Sequence, residues 1–508
     1  MKGEFIDSFA NNFESGLKEL SINGVVYKNT NHFHSNTTTA AGHATIATGK
    51  YPSKNGIVGN DVYNRNTNKW EYSILDTSIR FVGLENCTLE KVSAKNLIGL
   101  SIGDWQKNSD TNAQVYSVAL KDKSAILMGG KNADRAFWFD GQSTQMVSSN
   151  YYKQPFPEWA KEFNGKSVMA KEIAEGWNLS ADLQPNTTTT GDSIPTENGR
   201  FYPWFPHNLT TFNPDLVKND LEGNFLWRSP YGDQFVLKFS EQLILNNKLG
   251  KDKHCDVLTI GLSSADYIGH QFGPNSLETL DYYNKMDNFL GDYIAFLDKN
   301  VGRNKYLLVL TSDHGVAQLP EVATSQGKDA KRILRETFKN DMAFIDKGLQ
   351  SIYGLNKSTF KEVSGSGIEP NFDYLNENAI DSSEYIIQLI SHLKSLTYIA
   401  EAYSEFDIKD SACPKMYIEE VRNSYYPNKN PFVYLLAKPN YLIDYGANGT
   451  SHGTPYTYDT HVPLIFYGNK KKPRINNNAV NTVDIAPTIL YILGIKPTEK
   501  LDGKVLLD

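Results

Sequence analysis

Two aspartate–histidine pairs each follow a strand-like run in the middle of this chain. Asp266 and His270 come after the run 256–264, and Asp313 and His314 come directly after 305–312. Because α/β proteins place ligand-binding groups beyond the carboxyl ends of strands, we expect both pairs at one edge of a sheet. Carboxylate oxygen and imidazole nitrogen together suit Zn²⁺ best among the common metals. The pattern therefore predicts a metal site.

A threonine-rich turn near the start of the chain could supply a nucleophile. Residues 36–39 run into a helix of small residues that extends towards Gly49. A hydroxyl at a helix N-terminus has its alkoxide stabilised by the dipole and by free N–H groups, and contact with Zn²⁺ would lower its pKa further. Taken alone, such a turn is more often an N-cap. Its catalytic interpretation therefore depends on the metal pairs.

The elements that would position these groups alternate between strand and helix. Short apolar runs predict strands, and apolar residues three and four apart predict helices. Besides the two runs above, the predicted strands are 24–27, 114–120, 124–128, 136–139, 432–437 and 461–467, and the predicted helices are 8–23, 277–297, 384–405 and 483–493. Strands separated by helices indicate an α/β fold with a mostly parallel, layered sheet.

Two stretches interrupt this alternation. Residues 149–231 are rich in Pro, Thr, Asn and aromatic side chains, and residues 323–441 hold a helix and a strand of their own. We interpret the first as an insertion over the active-site face and the second as another inserted lobe. The core would then comprise 1–148, the metal-binding part 232–322, and 442–508.

Length and composition narrow the class of protein. The chain has 508 residues, 40% of them hydrophobic, and a net charge of −7, which argues against a general nucleic-acid or anionic-membrane surface. No apolar stretch approaches the roughly 20 residues of a membrane span, and residues 1–7 lack a signal-peptide core. Three cysteines are too few for a disulfide framework. We expect a monomer that acts on small molecules and binds neither nucleic acid nor membrane.

A longer motif surrounds the threonine turn. Residues 39–60 (TAAGHATIATGKYPSKNGIVGN) resemble the nucleophile segment of the alkaline phosphatase superfamily, in the branch shared by threonine-nucleophile (phosphate-irrepressible type) alkaline phosphatases and type I phosphodiesterases/nucleotide pyrophosphatases. The resemblance extends through 266–275, 313–315, 451–459 and 484–488, and only the two insertions fall outside it. It implies a layered α/β/α fold and hydrolysis of phosphate esters, as well as a periplasmic or secreted location.

Carried over by position, the resemblance assigns the residues of the site. It implies Thr39 as the nucleophile and as a metal ligand, and Asn60 as a donor to a phosphoryl oxygen. One Zn²⁺ would be held by Asp266, His270 and His452, and the other by Asp313 and His314 together with Thr39. Two such ions stabilise the attacking and leaving oxygens of an in-line displacement.

Lys121 and Lys123 bear on the substrate. The alkaline phosphatases of this branch carry a Lys-X-Arg pair at this position, which the diesterases lack. A monoester brings one more negative charge than a diester and favours an added cation, although Lys123 lacks the bidentate fork of arginine. We therefore expect a zinc-dependent phosphate monoesterase that forms a phosphothreonine, with a phosphodiesterase or nucleotide pyrophosphatase as the alternative. Sulfatase chemistry is not indicated, because the Cys/Ser-X-Pro-X-Arg segment is absent.

One departure from the family concerns the first core strand. The resemblance places a metal-binding Asp, at the end of that strand, about two residues before Met1. We expect this strand and ligand to be missing from the chain as given, with a trimmed or misassigned start as the favoured explanation. The other explanation is true loss, which would leave a catalytically impaired metal- or phosphate-binding relative.

Overall fold

The fold alternates helices and strands along most of the chain. The structure is a computed structural model that describes residues 1–506 except 85–86, 198–199, 216, 218 and 469–471. The strands are β1 (Val25–Asn31), β2 (Asp61–Asn64), β3 (Lys69–Tyr72), β4 (Phe81–Val82), β5 (Val115–Ala119), β6 (Arg135–Asp140), β7 (Gln145–Ser149), β8 (Val257–Gly261), β9 (Leu307–Thr311), β10 (Lys331–Leu334), β11 (Phe360–Ser364), β12 (Gly367–Pro370), β13 (Ile399–Ser404), β14 (Val433–Ala437), β15 (Tyr441–Tyr445), β16 (His461–Gly468) and β17 (Arg474–Asn481).

The helices cover both faces of the sheets. They are α1 (Phe5–Ser8), α2 (Gly16–Asn23), α3 (Thr39–Thr48), α4 (Pro52–Asn55), α5 (Ile102–Ser109), α6 (Asp122–Gly129), α7 (Glu158–Asn164), α8 (Ala170–Glu175), α9 (Leu221–Trp227), α10 (Pro230–Asn247), α11 (Ser264–Phe272), α12 (Leu277–Leu297), α13 (Pro320–Ser325), α14 (Arg335–Tyr353), α15 (Phe372–Glu377), α16 (Ser382–Lys394), α17 (Glu405–Lys409), α18 (Ile418–Ser424), α19 (Thr457–Thr460) and α20 (Ile485–Ile492). Short 3₁₀ turns lie at Ala10–Asn12, Ala94–Asn96, Asn150–Tyr152 and Thr482–Asp484, and a π-helical turn lies at Asp298–Gly302. Within the described residues, none of the helices combines the length and apolar character that a bilayer span requires.

Two sheets form the middle layer of the core. The first has the order β4-β7-β6-β5-β8 and the second has the order β17-β1-β16-β9. Pairing is mixed: β5 runs parallel to β6 and β8, whereas β16 runs antiparallel to β1 and β9. The α/β class is confirmed, with a smaller parallel share than expected.

Successive residues of a strand pack against opposite helix layers, which shows that both faces of the sheets are buried. In β6, Phe137 and Phe139 join a cluster with α2, α10 and α12, while Ala136 and Trp138 join a cluster with α3 and α6. In β16 likewise, Ile465 belongs to the α2/α12 side, while Leu464 packs on α3 and α20. Since the same helix layers cover both sheets, the core is an α/β/α sandwich.

Strands β8 and β9 are end strands of the two sheets. Each strand pairs on one side only within the described part of the chain. All five residues of β8 and of β9 are half-buried, although both strands are apolar and belong to the core. The two aspartate–histidine pairs follow these two strands along the chain.

The segment 323–441 contains a sheet and a core of its own. Its strands have the order β11-β12-β14-β13, and helices α14 and α16 bury a separate apolar cluster against them. The segment 149–231 holds mainly the short helices α7–α9 and irregular backbone. The proposed division into core and insertions stays a prediction.

Three local predictions were wrong. The predicted strand 124–128 lies in helix α6, because a short, fully buried apolar run carries no period that separates strand from helix. The predicted helix 384–405 ends at Lys394, and its last part is β13, which pairs with β14. The predicted helix 8–23 is broken, because Asp287 of α12 accepts hydrogen bonds from the backbone N–H groups of 14, 15, 17 and 18 and so starts α2 anew.

Candidate active site

The predicted ligands of the first metal converge on one carboxylate. Asp266 and His270 lie on α11 beyond β8, and His452 lies in the loop before α19. The Asp266 Oδ1 atom lies 3.5 Å from His270 Nε2, 3.4 Å from His452 Nε2 and 3.8 Å from His314 Nε2. One ligand atom each from Asp266, His314 and His452 falls within 4.8 Å of the others, a spacing that can hold a metal ion. His314, which we expected at the second ion, therefore also reaches the first.

The other ring nitrogen of each histidine is occupied by the backbone. The Nδ1 atoms of His270, His314 and His452 lie 2.6, 2.8 and 2.7 Å from the carbonyl oxygens of Thr450, Gly315 and Thr37. A carbonyl only accepts, so each Nδ1 carries a proton, and Nε2 is the ring nitrogen that faces Asp266. Backbone-anchored imidazoles of this kind are typical of metal ligands. The donor set therefore fits a divalent metal.

The two aspartates remain ionised in this setting. Burial raises the pKa of Asp266, but Lys121, His270 and His452 outweigh it and hold the pKa well below its usual value. Burial likewise raises the pKa of Asp313, whereas His314 and His43 lower it to a net value well below the usual one. Burial lowers the pKa of His270, while Asp266 acts in the opposite direction. Both carboxylates are therefore available as anionic ligands.

Thr39 lies beside the second aspartate–histidine pair. It is the first residue of α3 and is buried, and its hydroxyl oxygen lies 3.4 Å from His314 Nε2. His314 Nε2 lies 3.3 Å from Asp313 Oδ2. The helix N-terminus and this cluster thus meet at the Thr39 hydroxyl, where negative charge on oxygen is stabilised.

Asn60 is attached to the same helix start. Its Oδ1 atom accepts a hydrogen bond of 2.9 Å from the Ala40 backbone N–H. Among the described residues its Nδ2 group makes no hydrogen bond, so this donor is free beside Thr39. The position agrees with the role that the resemblance implies.

The two lysines differ in where they point. The Lys121 ammonium pairs with Asp266, and its pKa is raised because Asp266 outweighs the effect of burial. The Lys123 ammonium donates over 2.6 Å to the Tyr72 hydroxyl, which in turn donates to Asp122. Burial lowers the pKa of Lys123. Lys121 thus belongs to the centre of the site, whereas Lys123 is held at its margin.

The amino group of Met1 lies in the wall of this site. It donates to Ser312 Oγ over 2.7 Å and to the His314 carbonyl over 3.3 Å. Burial lowers the pKa of this amine, while Asp313 and Asp266 act in the opposite direction.

Two residues outside the predicted set support the site. His43 lies one turn along α3, with its Nδ1 atom 2.8 Å from the Thr39 carbonyl and 3.2 Å from Asp313 Oδ2. Asp459 is fully buried and accepts from the backbone N–H groups of Gly453 and Thr454, which fixes the loop that carries His452. Both lie within the matching motifs, but their sequence spacing alone does not reveal these partners.

Gly42 sets the distance between α3 and the second aspartate. A Cβ atom at this position would lie 2.1 Å from the Asp313 carbonyl oxygen. We expect Gly42→Ala to push α3 outwards and to lower the turnover number about 100-fold, because small displacements of reacting groups carry penalties of this size. The control is Gly348→Ala, since a Cβ atom there would meet only His392 at 3.9 Å. Circular dichroism measures the folding of the two variants, and phosphate release measures their turnover. Full activity of a folded Gly42→Ala protein would contradict the role of Gly42 in setting this distance.

Comparison with known proteins gives the family. A family model described as type I phosphodiesterase / nucleotide pyrophosphatase matches residues 1–461. Alkaline phosphatase PafA of Elizabethkingia meningoseptica is 31% identical over 504 residues, which cover 97% of this chain and 90% of that protein. A Myroides odoratus protein named calcium-transporting ATPase is 31% identical over 492 residues, which cover 95% of this chain and 88% of that protein.

A solved structure agrees over the whole chain. The crystal structure of wild-type PafA superposes with a TM-score of 0.91 at 28% identity and covers 100% of this chain and 96% of its own. The resemblance inferred from the motifs and the alkaline-phosphatase-like fold are thereby confirmed. The chain belongs to the type I phosphodiesterase/nucleotide pyrophosphatase family, within the alkaline phosphatase superfamily.

Proposed function

We propose that this protein is an alkaline phosphatase that hydrolyses phosphate monoesters through a phosphothreonine at Thr39. The observation that carries the proposal is the position of the Thr39 hydroxyl, at the start of α3 and 3.4 Å from His314 Nε2 in a cluster of carboxylates and imidazoles. The match to alkaline phosphatase PafA supports the same activity. A PafA variant of known structure is substituted at a threonine, an asparagine, a lysine and an arginine. Thr39, Asn60, Lys121 and Lys123 repeat these types in the same order, except that lysine replaces the last.

The reaction divides into two displacements at phosphorus. The Thr39 oxygen attacks, the bond from phosphorus to the leaving oxygen breaks, and the alcohol departs with a proton. Water then attacks the phosphothreonine, the bond from phosphorus to the Thr39 oxygen breaks, and phosphate is released. Asn60 Nδ2 would donate to a phosphoryl oxygen, and Lys121 would neutralise a further oxygen.

Two Zn²⁺ ions per chain are the proposed cofactors. Asp266, His270 and His452 would hold one ion, and Asp313, His314 and Thr39 would hold the other. Bound there, the ions would act as Lewis acids at the attacking and leaving oxygens. Support comes from the three imidazoles whose Nε2 atoms face Asp266 and from the low pKa of both aspartates.

Lys121 provides the test of the monoester assignment. We expect Lys121→Ala to lower kcat/KM for phenyl phosphate by about 100-fold and to change diphenyl phosphate hydrolysis by no more than a few-fold, because the diester lacks the extra charge. Lys123→Ala is the matched comparison and should have the smaller effect, since Tyr72 holds its ammonium. Wild-type protein that favours the diester, together with a Lys121→Ala variant that loses little activity, would point to the phosphodiesterase alternative.

Zinc stoichiometry separates the enzyme from a metal-binding relative that lacks one ligand. If the protein is the enzyme, mass spectrometry of the purified protein should find about two zinc ions per chain. If it is the impaired relative, the same measurement should find fewer than one. A location outside the cytoplasm and a monomeric state stay predictions.

A further inference from the structure

A cavity of about 290 Å³ adjoins the proposed active site on the side of Tyr267. Tyr267 follows the candidate ligand Asp266, and the Lys121 ammonium lies 4.8 Å from the centre of its ring. The cavity is lined by Tyr267 together with Asn224, Trp227, Arg228 and Gln142. The Tyr267 ring thus lies between the cavity and the Lys121 ammonium, which would bind the phosphate.

Arg228 is a buried cation that faces the cavity without a carboxylate partner. The residue is 9% exposed, and its guanidinium lies 5.4 Å from the centre of the Tyr267 ring. Its Nη1 atom donates to Asn224 Oδ1 over 2.7 Å, and within the described part of the chain the remaining guanidinium nitrogens make no hydrogen bond and no ion pair. A buried charge is costly unless it is paired, so an anionic ligand in the cavity would stabilise this arrangement.

One oxygen of the buried carboxylate that lines the same cavity is already engaged. Asp140 is 2% exposed, and its Oδ2 atom accepts from the backbone N–H and the hydroxyl of Ser143. Asp220, the other acid at the cavity, is exposed at its mouth. Arg228 thus supplies unpaired hydrogen-bond donors at this cavity within the described residues, and such donors suit a carboxylate or a phosphate.

The cavity is connected to the proposed site through Tyr267, which follows Asp266 and contacts the Lys121 ammonium. Thr39 lies beside Asp313 and His314, whereas Tyr267 lies beside Asp266. In an in-line displacement the leaving group departs on the side opposite the nucleophile. We propose that Arg228 forms a subsite for a second anionic group, so that the preferred substrates are phosphate monoesters whose leaving group itself carries a carboxylate or phosphate. This inference rests on the proposed function.

The test compares two esters that differ only in that charge, phenyl phosphate and para-carboxyphenyl phosphate. The ratio of kcat/KM for the carboxylated ester to that for the plain ester should be at least about 10-fold higher in wild type than in Arg228→Gln, because a charge-assisted hydrogen bond is lost. Asn224→Asp is the second variant: it places a carboxylate on the guanidinium and should lower the ratio equally without removing a buried side chain. Arg228→Lys should retain part of the preference. A ratio that is unchanged in Asn224→Asp overturns the subsite.

A binding measurement separates failure of the subsite from failure of the proposed function. Calorimetry with benzylphosphonate and para-carboxybenzylphosphonate requires no turnover, and wild type should bind the carboxylated compound about 10-fold more tightly, with the preference lost in Asn224→Asp. If wild type hydrolyses neither ester but shows this preference, the phosphatase assignment fails and the subsite stands. If it hydrolyses phenyl phosphate but shows no preference in either assay, the subsite fails and the phosphatase assignment stands.

Discussion

Thr39→Ala is expected to lower phosphate release from phenyl phosphate by at least about 1,000-fold, because the substitution removes the oxygen that attacks phosphorus. The rest of the site should remain, since the Asp266 cluster is built from α11 and the loop before α19 and contains no atom of Thr39. Zinc content should therefore fall by no more than one ion per chain. Phosphate assays and metal analysis on the same preparation measure both quantities.

The matched control for this variant is the preceding residue. The Thr38 hydroxyl is buried and makes no hydrogen bond within the described part of the chain, so Thr38→Ala should stay within a few-fold of wild-type turnover. Rapid quenching followed by mass spectrometry should find phosphate on the peptide that contains Thr39 in wild type and none in Thr39→Ala. Near wild-type turnover of Thr39→Ala at equal zinc content would reject the nucleophile.

Asp266→Ala is expected to have the second large effect, on both metal content and activity. Asp266 lies within 3.8 Å of three imidazole nitrogens and pairs with Lys121, so its loss removes the only anion shared by His270, His314 and His452 within the described residues. Zinc content should fall by about one ion per chain, and turnover should fall at least about 1,000-fold.

The control here is an aspartate on a neighbouring helix. Asp292 of α12 is exposed, and Asp292→Ala should leave zinc content and turnover at wild-type values. Because Asp266→Ala removes a half-buried carboxylate, the thermal unfolding of this variant is measured with and without added zinc. An Asp266→Ala protein that retains full zinc and full turnover would show that the metal binds elsewhere.

The candidate site was predictable from the sequence because its residues lie in short, dense motifs. Asp266, His270, Asp313 and His314 follow their strands directly, so the position of each strand end also places the ligands at one edge of the sheet. The site roles themselves remain predictions that the geometry supports. Sequence spacing could not show that His314 lies near Asp266 as well as Asp313, because that proximity depends on how α11 and β9 approach in space.

The fold was predictable where the residues of one element alone determine its structure. It was less predictable where contacts with a distant element determine it. Helix α12 was predicted to its observed bounds because its 21 residues keep one helical period. The break before α2 was not predictable from the sequence, since it depends on Asp287, which lies far along the chain. The same reason applies to β13, whose strand pairing with β14 overrides a helical pattern that continues from α16.

The specificity residues were the least accessible from sequence. The resemblance points to Lys121 and Lys123 alike, yet only Lys121 reaches Asp266, because Tyr72 from β3 binds the Lys123 ammonium. Arg228 belongs to none of the motifs found in the sequence. The proposed role of Arg228 rests on its burial beside a cavity. That cavity forms only where α9 and α11 pack together, so the sequence alone does not reveal it.

The most direct test of the central claim is anomalous diffraction at the zinc absorption edge from crystals of the zinc-loaded protein. We expect two peaks about 4 Å apart, one within about 2.1 Å of Nε2 atoms of His270 and His452, and the other in contact with Asp313 and the Thr39 hydroxyl. Zinc peaks located away from these residues, in crystals of protein that hydrolyses phenyl phosphate, would contradict the account.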